Sequence, residues 1–353
     1  MNDKQLSAVV LAGTHQWGGS HFERLAPRPL VPLALEPLIC YSLRWLRDAG
    51  VRRATICANG TTRAIEAALG DGAELEMDLS YYRDGTPRGA AGCVRDAVAR
   101  SASDCFVVTD GSAIPTVDLH KLLEAHRGSG AAATAVVHLE RSGSGSPTPG
   151  GVYVFERRVL EHVGENGFQD IKENLIPRLH RAGEPVLAFE DPGFCPHVLN
   201  AQTYLAVNQW MIQRLAADAH DGDAPLVHPQ ARVERGARLV GPVMLGAGVR
   251  VRAGATLVGP TSIGADSTVE ADALVACSAV WSGCSIGAAA LVHGSVIGHE
   301  AVVAPGSRLF NVVRPRLAAA KRPAVLLLDW GRPSQRVTAP PLVGAVHTSC
   351  AIV

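Results

Sequence analysis

The chain has 353 residues, 47% of them hydrophobic and 19% charged, which is enough apolar material for a sizeable core and a length that suggests two domains. Lys+Arg and Asp+Glu both number 33, so net charge offers no electrostatic case for nucleic acid or an anionic membrane as partner. No apolar run reaches about 18 residues, which argues against a membrane span; the eight cysteines form no Cys-x-x-Cys or Cys/His cluster, which argues against a structural zinc site and, with no signal peptide, for the cytoplasm.

From the N-terminus, "LSAVVLAG" reads as a strand that Gly13 ends, followed by a loop. "EPLICYSLRWLRDAG" has helical spacing and stops at Gly50. "RRATICANG" is a second strand, and "TTRAIEAALG" a helix that Thr61 or Thr62 is placed to cap. Asp84, in "YYRDGTPRG", reads as a turn residue. Next come a helix in "CVRDAVARSA", a strand in "DCFVVTDG", a helix in "TVDLHKLLEAHRGSG" and a strand in "AAATAVVHLE". "GGVYVFERRVLEHV" reads as a strand running into a helix, Asp170 as a helix cap, and "PVLAFEDPGF" as a further strand and turn. Such alternation predicts a three-layer, Rossmann-like α/β domain with a mostly parallel sheet over residues 1–218.

The C-terminal half repeats. From Val227 every sixth residue is large and apolar: Val227, Val233, Leu239, Leu245, Val251, Leu257, Ile263, Val269, Val275, Trp281. Small or β-branched residues sit two positions before, among them Ala231, Val249, Ala255 and Ala273. Period six fits neither a helix nor a flat strand; it fits three short strands per coil, with about 18 residues per coil. This predicts a parallel β-helix over 224–312, with a phase slip after Trp281 that ends at Leu291 and marks a protruding loop or a coil of altered length. His228 reads as part of the first turn. Residues 313–353 are a capping segment and tail, in which "RPRLAAAKRPAVLLLDW" is placed to cover the open end; the terminal "CAIV" fits a prenylation pattern by eye, with nothing basic before it.

This order of elements resembles the sugar-1-phosphate nucleotidyltransferases, also called NDP-sugar pyrophosphorylases, with the mannose-1-phosphate guanylyltransferase branch most similar. The pieces that carry the likeness are "VVLAG", "PRPLVPLALEPLICYSLRWLRDAGV", "RGAAG", "FVVTDG", "GGVYVFERRVLEHV" and "YLAVNQWMI". The resemblance implies a β-helix of the left-handed, hexapeptide type, nucleotide transfer onto a sugar 1-phosphate with release of pyrophosphate, and Mg2+ as cofactor if the chain is active. It also implies nucleotide contacts at Leu11, Ala12 and Gly13 and at Gly89, Ala90, Ala91 and Gly92. Within the family loop, Arg28 falls where a Lys is expected, fifteen residues beyond Gly13, and Arg24 and His21 lie nearby; Arg28 and Arg24 are the candidate catalytic cations. Thr14, Gln16, Trp17 and Gly18 replace the loop's second and third glycines, its Thr and its Arg, so side chains obstruct the close backbone approach and one charge is lost. Asp110 is the candidate metal ligand, two positions from the family's carboxylate, and His197 takes the place of the second one. The sugar-holding Glu-Lys-Pro segment has no counterpart; "RSGSGSPTP" fills the gap, with Pro149 at the Asn position.

Three readings follow. The first is a catalytically impaired relative that binds a nucleotide, a nucleotide sugar or nothing, and acts by that binding or by association with a partner, as a homo-oligomer or with an active paralogue. The second is a working transferase using Arg24, Arg28 and Asp110. The third is a β-helix acyltransferase using His293 or His299.

Overall fold

The computed structural model describes residues 6–13, 22–83, 87–99, 101–138, 148–193, 195–219, 224–316 and 326–327. The readings placed on Thr14, Gln16, Trp17, Gly18, His21, Asp84, most of "RSGSGSPTP" and all but a few residues of 313–353, including "CAIV", lie outside the described residues.

Seven strands form one sheet: β1 (Leu6–Leu11), β2 (Arg53–Cys57), β3 (Asp78–Tyr82), β4 (Cys105–Asp110), β5 (Ala133–His138), β6 (Thr148–Glu156) and β7 (Val186–Glu190). Their order is β3-β2-β1-β4-β6-β5-β7, and β6 alone runs antiparallel to its neighbours. The central strands read "AVVL" and "CFVV" because both faces are covered, and successive residues point to opposite layers. Val10, Val107 and Val154 pack under Leu43 and Leu46 of α1 (Leu38–Asp48) and Leu122 of α4 (Leu119–Ser129). Val9, Phe106, Val108 and Phe155 pack on the other side under Val94 of α3 (Gly89–Val98) and Leu179 of α5 (Ile176–Arg181). This is the three-layer arrangement that alternation predicts.

Some local expectations fail for identifiable reasons. β3 escaped the sequence reading because "DLSYY" is an edge strand with exposed Asp78 and Ser80, so its pattern is weak. Neither Thr61 nor Thr62 caps α2 (Thr62–Leu69): their hydroxyls donate backwards to the carbonyls of Ala58 and Asn59. "RRVLEHV" makes only 3-10 turns over Arg157–His162. Asp170 does cap its helical turn, accepting from the amides of Lys172 and Glu173.

The C-terminal half is a parallel β-helix of three strand stacks. Coils pair at a spacing of 18 residues from Val243↔Thr261 to Val258↔Ala276, and of 17 from Ser262↔Ala279 onward. The slip therefore falls at Cys277–Ser278, earlier than the periodicity suggests, and it is a shortened corner rather than a protruding loop. The Gly259–Pro260 corner is replaced one coil later by Cys277 alone, at φ 48°, and then by Gly294 and Asn311. The serine ladder satisfies the tightened corners: the amide of Ser278 donates to Thr261 Oγ1, that of Ser295 to Ser278 Oγ and that of Val312 to Ser295 Oγ. After the slip the interior residues are Val280, Ile286, Val292, Ile297, Val303 and Leu309. Trp281 and Leu291, assigned inward by period six, are not in that core, and neither are Val227 and Val233, which are exposed at the start of the tube. At the tube's end Leu326–Leu327 pairs with Val312–Val313.

Trp281 instead faces the α/β domain and is 2% exposed. It packs with Phe22 and with Tyr204 of α6 (Ala201–Ala219), and its Nε1 donates to the Tyr204 hydroxyl at 2.8 Å. Tyr204 in turn donates to the Pro32 carbonyl, and buried Asn208 accepts from the Ala34 amide while donating to Ser262 of the tube. The segment from Phe22 to Leu38 is thus clamped between helix and tube.

Candidate functional site at the C-terminal rim of the sheet

In a parallel sheet the loops beyond the carboxyl ends of the strands converge on one crevice. Here β1 ends at Leu11, and the amides of Ala12 and Gly13 both donate to the Cys57 carbonyl at the end of β2. A Cβ at Gly13 would come within 2.8 Å of Ala58 and Asn59, so the glycine serves this close crossing. Beside it lies a cleft of about 500 Å³, lined among others by Ala12, Gly13, Arg24, Arg28, Asn59 and Thr61. Arg24 is exposed on a 3-10 turn; Arg28 is half-buried on the next. Both arginines therefore meet Ala12 and Gly13 in one cleft, which Leu11 does not line.

Arg28 reaches from that cleft to the end of β4, where its Nη1 donates to Ser112 Oγ at 3.3 Å. Burial lowers the Arg28 pKa from its usual value, opposed by the charges of Asp110 and Glu23. Asp110 closes a tight turn: its Oδ1 accepts from the Ser112 amide at 2.8 Å and from the Ser112 hydroxyl at 2.6 Å. His197 arrives from the far end of the domain through a bridge to Ala113, with the Ile114 amide donating to the Pro196 carbonyl. Gly151, at φ 72°, leaves the space between them open: a Cβ there would lie 3.6 Å from Asp110 Cβ and 3.7 Å from His197 Cε1. Desolvation holds the His197 pKa below the ordinary 6.5, against the pull of Asp110 and with help from His138, Lys172 and Arg28. The imidazole is thus neutral at pH 7.

Among the described residues, the Asp110–His197 pair does not by itself suit magnesium. Mg2+ demands oxygen ligands in near-octahedral geometry. Asp110 offers one carboxylate, already engaged by Ser112, and the side chain facing it across Gly151 is an imidazole.

The third candidate region forms the start of α3. Gly89 has φ 73°, and a Cβ there would strike the Gln169 carbonyl at 2.5 Å. The amides of Ala91 and Gly92 donate to that same carbonyl, and the Gln169 amide donates to Arg88. Ala91 packs beside Val9 and Cys57, and Ala90 is half-buried. The small residues of "RGAAG" thus admit the Gln169 backbone. On the tube, His299 lies against the Trp281 ring at 4.9 Å and His293 near Phe310 at 6.3 Å.

Sequence reasoning missed Ser112, His138, Lys172 and the Gly150–Gly151 pair. His138 ends β5, where the strand-end rule had a signal to offer. Lys172 had none: topology alone brings it near His197.

Comparison with known proteins points to nucleotidyl transferases. The nucleotidyl transferase family matches residues 23–146. Mannose-1-phosphate guanylyltransferase of Mycobacterium tuberculosis is 25% identical over 278 residues, 70% of this chain and 77% of its own. UTP–glucose-1-phosphate uridylyltransferase of Synechocystis is 23% identical, over 52% of this chain and 57% of its own. Glucose-1-phosphate thymidylyltransferase of Streptomyces griseus is 34% identical over 89 residues, 25% of either chain.

Proposed function

We infer function from a family premise: this chain belongs to the sugar-1-phosphate nucleotidyltransferases. We propose that it binds a nucleotide or nucleotide sugar at the sheet rim, that its transfer chemistry is impaired, and that it acts through a partner, either a second copy or an active paralogue. The observation that carries this reading is the Asp110–His197 pair. Nucleotidyl transfer develops charge on the phosphates, and preorganised cations must meet it. Arg24 and Arg28 supply positive charge for binding. A neutral imidazole beside one engaged carboxylate supplies no comparable seat for a divalent metal. Losing one such electrostatic contact costs roughly 3–4 kcal/mol of transition-state stabilisation. The similar proteins differ among themselves in base and in sugar, and both belong to the outcome of the test below.

One observation favours an active transferase instead. Arg28 keeps the family spacing and is held within reach of Asp110 by Ser112. The readings separate in one experiment. The protein is incubated with Mg2+, GTP, dTTP or UTP, and mannose 1-phosphate or glucose 1-phosphate, and pyrophosphate release is followed beside thermal shift with the matching nucleotide sugars. The expected result is stabilisation by a nucleotide sugar without pyrophosphate. Turnover with any pair establishes the active reading, and stabilisation by none overturns nucleotide-sugar binding at the rim.

A further inference from the structure

We propose that Cys105, His126 and Glu156 form a structural metal site, of zinc chemistry, at the end of the sheet opposite the nucleotide cleft. Their ligand atoms all lie within 4.8 Å of one another. Cys105 and Glu156 are direct partners across the antiparallel pair β4–β6, so both side chains leave the same face of the sheet. On that face α4 packs Leu122 and Leu123 into the core that contains Cys105, and it delivers His126 to the pair.

The histidine is oriented as a ligand is. His126 Nδ1 is engaged with Thr134 Oγ1 at 2.8 Å, which fixes the ring and turns Nε2 toward Glu156. Nε2 stands 3.4 Å from Glu156 Oε1. Metal–ligand arms of about 2.0–2.2 Å in a tetrahedron require an N–O edge of about 3.4 Å. The thiol and the imidazole are 4% and 1% exposed. The carboxylate side chain is 15% exposed, so this edge of the trio is within reach of solvent.

Donor chemistry selects the ion. A thiolate, an imidazole and a carboxylate make the mixed S/N/O set that zinc accepts, whereas magnesium and calcium call for oxygen alone. Thiolate and carboxylate together carry two negative charges, which a divalent ion neutralises. The site is separate from the cleft: Cys105 and Asp110 begin and end the same strand, five rises of about 3.3 Å or about 16 Å apart. Binding ties β4, β6 and α4 together. The three residues are far apart in the chain and form no motif, so cysteine spacing alone does not reveal them.

The test uses the full-length protein stripped with a chelator and titrated with Zn2+ and, separately, Co2+. One zinc per chain is expected by elemental analysis, with a thermal midpoint raised by about 5 °C at a hundredfold excess over Kd. Cobalt gives a thiolate charge-transfer absorption. Cys105→Ser abolishes that absorption and Glu156→Gln weakens zinc affinity at least tenfold, while Cys40→Ser changes neither. A wild-type chain that takes up no zinc overturns the site, whether or not the variants fold. A folded Cys105→Ser variant that keeps the cobalt absorption overturns it as well.

Discussion

The β-helix and the rim of the α/β sheet are held on opposite terms. Inside the tube each side chain has an equivalent one coil above and below: Leu257 sits between Leu239 and Val275, and Ile286 between Val269 and Val303. At the rim Arg28, Asp110, His138, Lys172 and His197 come from five separate segments, each held by contacts of its own. Repetition makes the tube tolerant in shape but collectively expensive to disturb. The rim is the reverse: its residues have no equivalent one coil away, so each one's position depends on where the sheet order puts its own segment.

The two regions meet at Trp281, and the largest expected effect lies there. Trp281→Ala removes a buried indole and its hydrogen bond to Tyr204, at a cost of about 3–5 kcal/mol. Because Phe22 and Pro32 rest on that same cluster, the segment carrying Arg24 and Arg28 loosens with it. Chemical denaturation is expected to show the stability loss, and nucleotide-sugar titration a weaker affinity. Leu257→Ala, in the middle of the tube, is the control. It costs about 2–5 kcal/mol through its cavity and leaves nucleotide-sugar affinity unchanged. Equal loss of affinity in both variants would break the distinction between the regions.

The rim announces itself through pH. The folded pKa of His197 lies below its ordinary 6.5, so in acid the unfolded chain takes a proton that the folded chain refuses. Its contribution is constant above about pH 6.5 and is lost as pH falls from there to the lowered folded value, by at most about 1.4 kcal/mol per pH unit. His299, also lowered by burial, adds to the same slope from the tube side. Urea midpoints at pH 7.5, 6.5 and 5.5 are expected to fall in that order, and His197→Gln to remove part of the slope. An unchanged slope in His197→Gln would assign the whole effect to His299 and deny that His197 is buried neutral.

The same contrast decides what the sequence shows. A large apolar residue every sixth position is a local signal, and ten in succession fit neither a helix nor a flat strand. A one-residue deletion at a corner is not local: Cys277 at φ 48° replaces Gly-Pro, and only cross-coil pairing reveals that Val280, not Trp281, turns inward. At the rim, Arg28 and Asp110 were legible because spacing from a strand end survives side-chain replacement. Ser112, His138 and Lys172 were not, because their meaning depends on where sheet order puts them. The glycines of "RGAAG" carried a true signal, close approach, but the approaching group is the Gln169 backbone.

The smallest effect tests how the rim is positioned. Asp170 accepts from the amides of Lys172 and Glu173, and its own amide donates to Asn174 Oδ1, so one carboxylate starts the turn that carries Lys172. Asp170→Ala leaves those two amides without their acceptor and costs about 1 kcal/mol, the usual loss at a helix start. Asp170→Asn keeps the acceptor oxygen and is expected to restore stability within a few tenths of a kcal/mol. Lys172 is one of the charges that depress the His197 pKa, so a frayed turn relieves that depression. The alanine variant should therefore show a less acid-sensitive fold, with NMR titration of His197 moving toward 6.5, while the asparagine variant titrates as the parent does. If both variants lose stability equally, the negative charge of Asp170 matters rather than its hydrogen bonds, and Lys172 is held at the rim by Coulomb attraction instead of by the helix start.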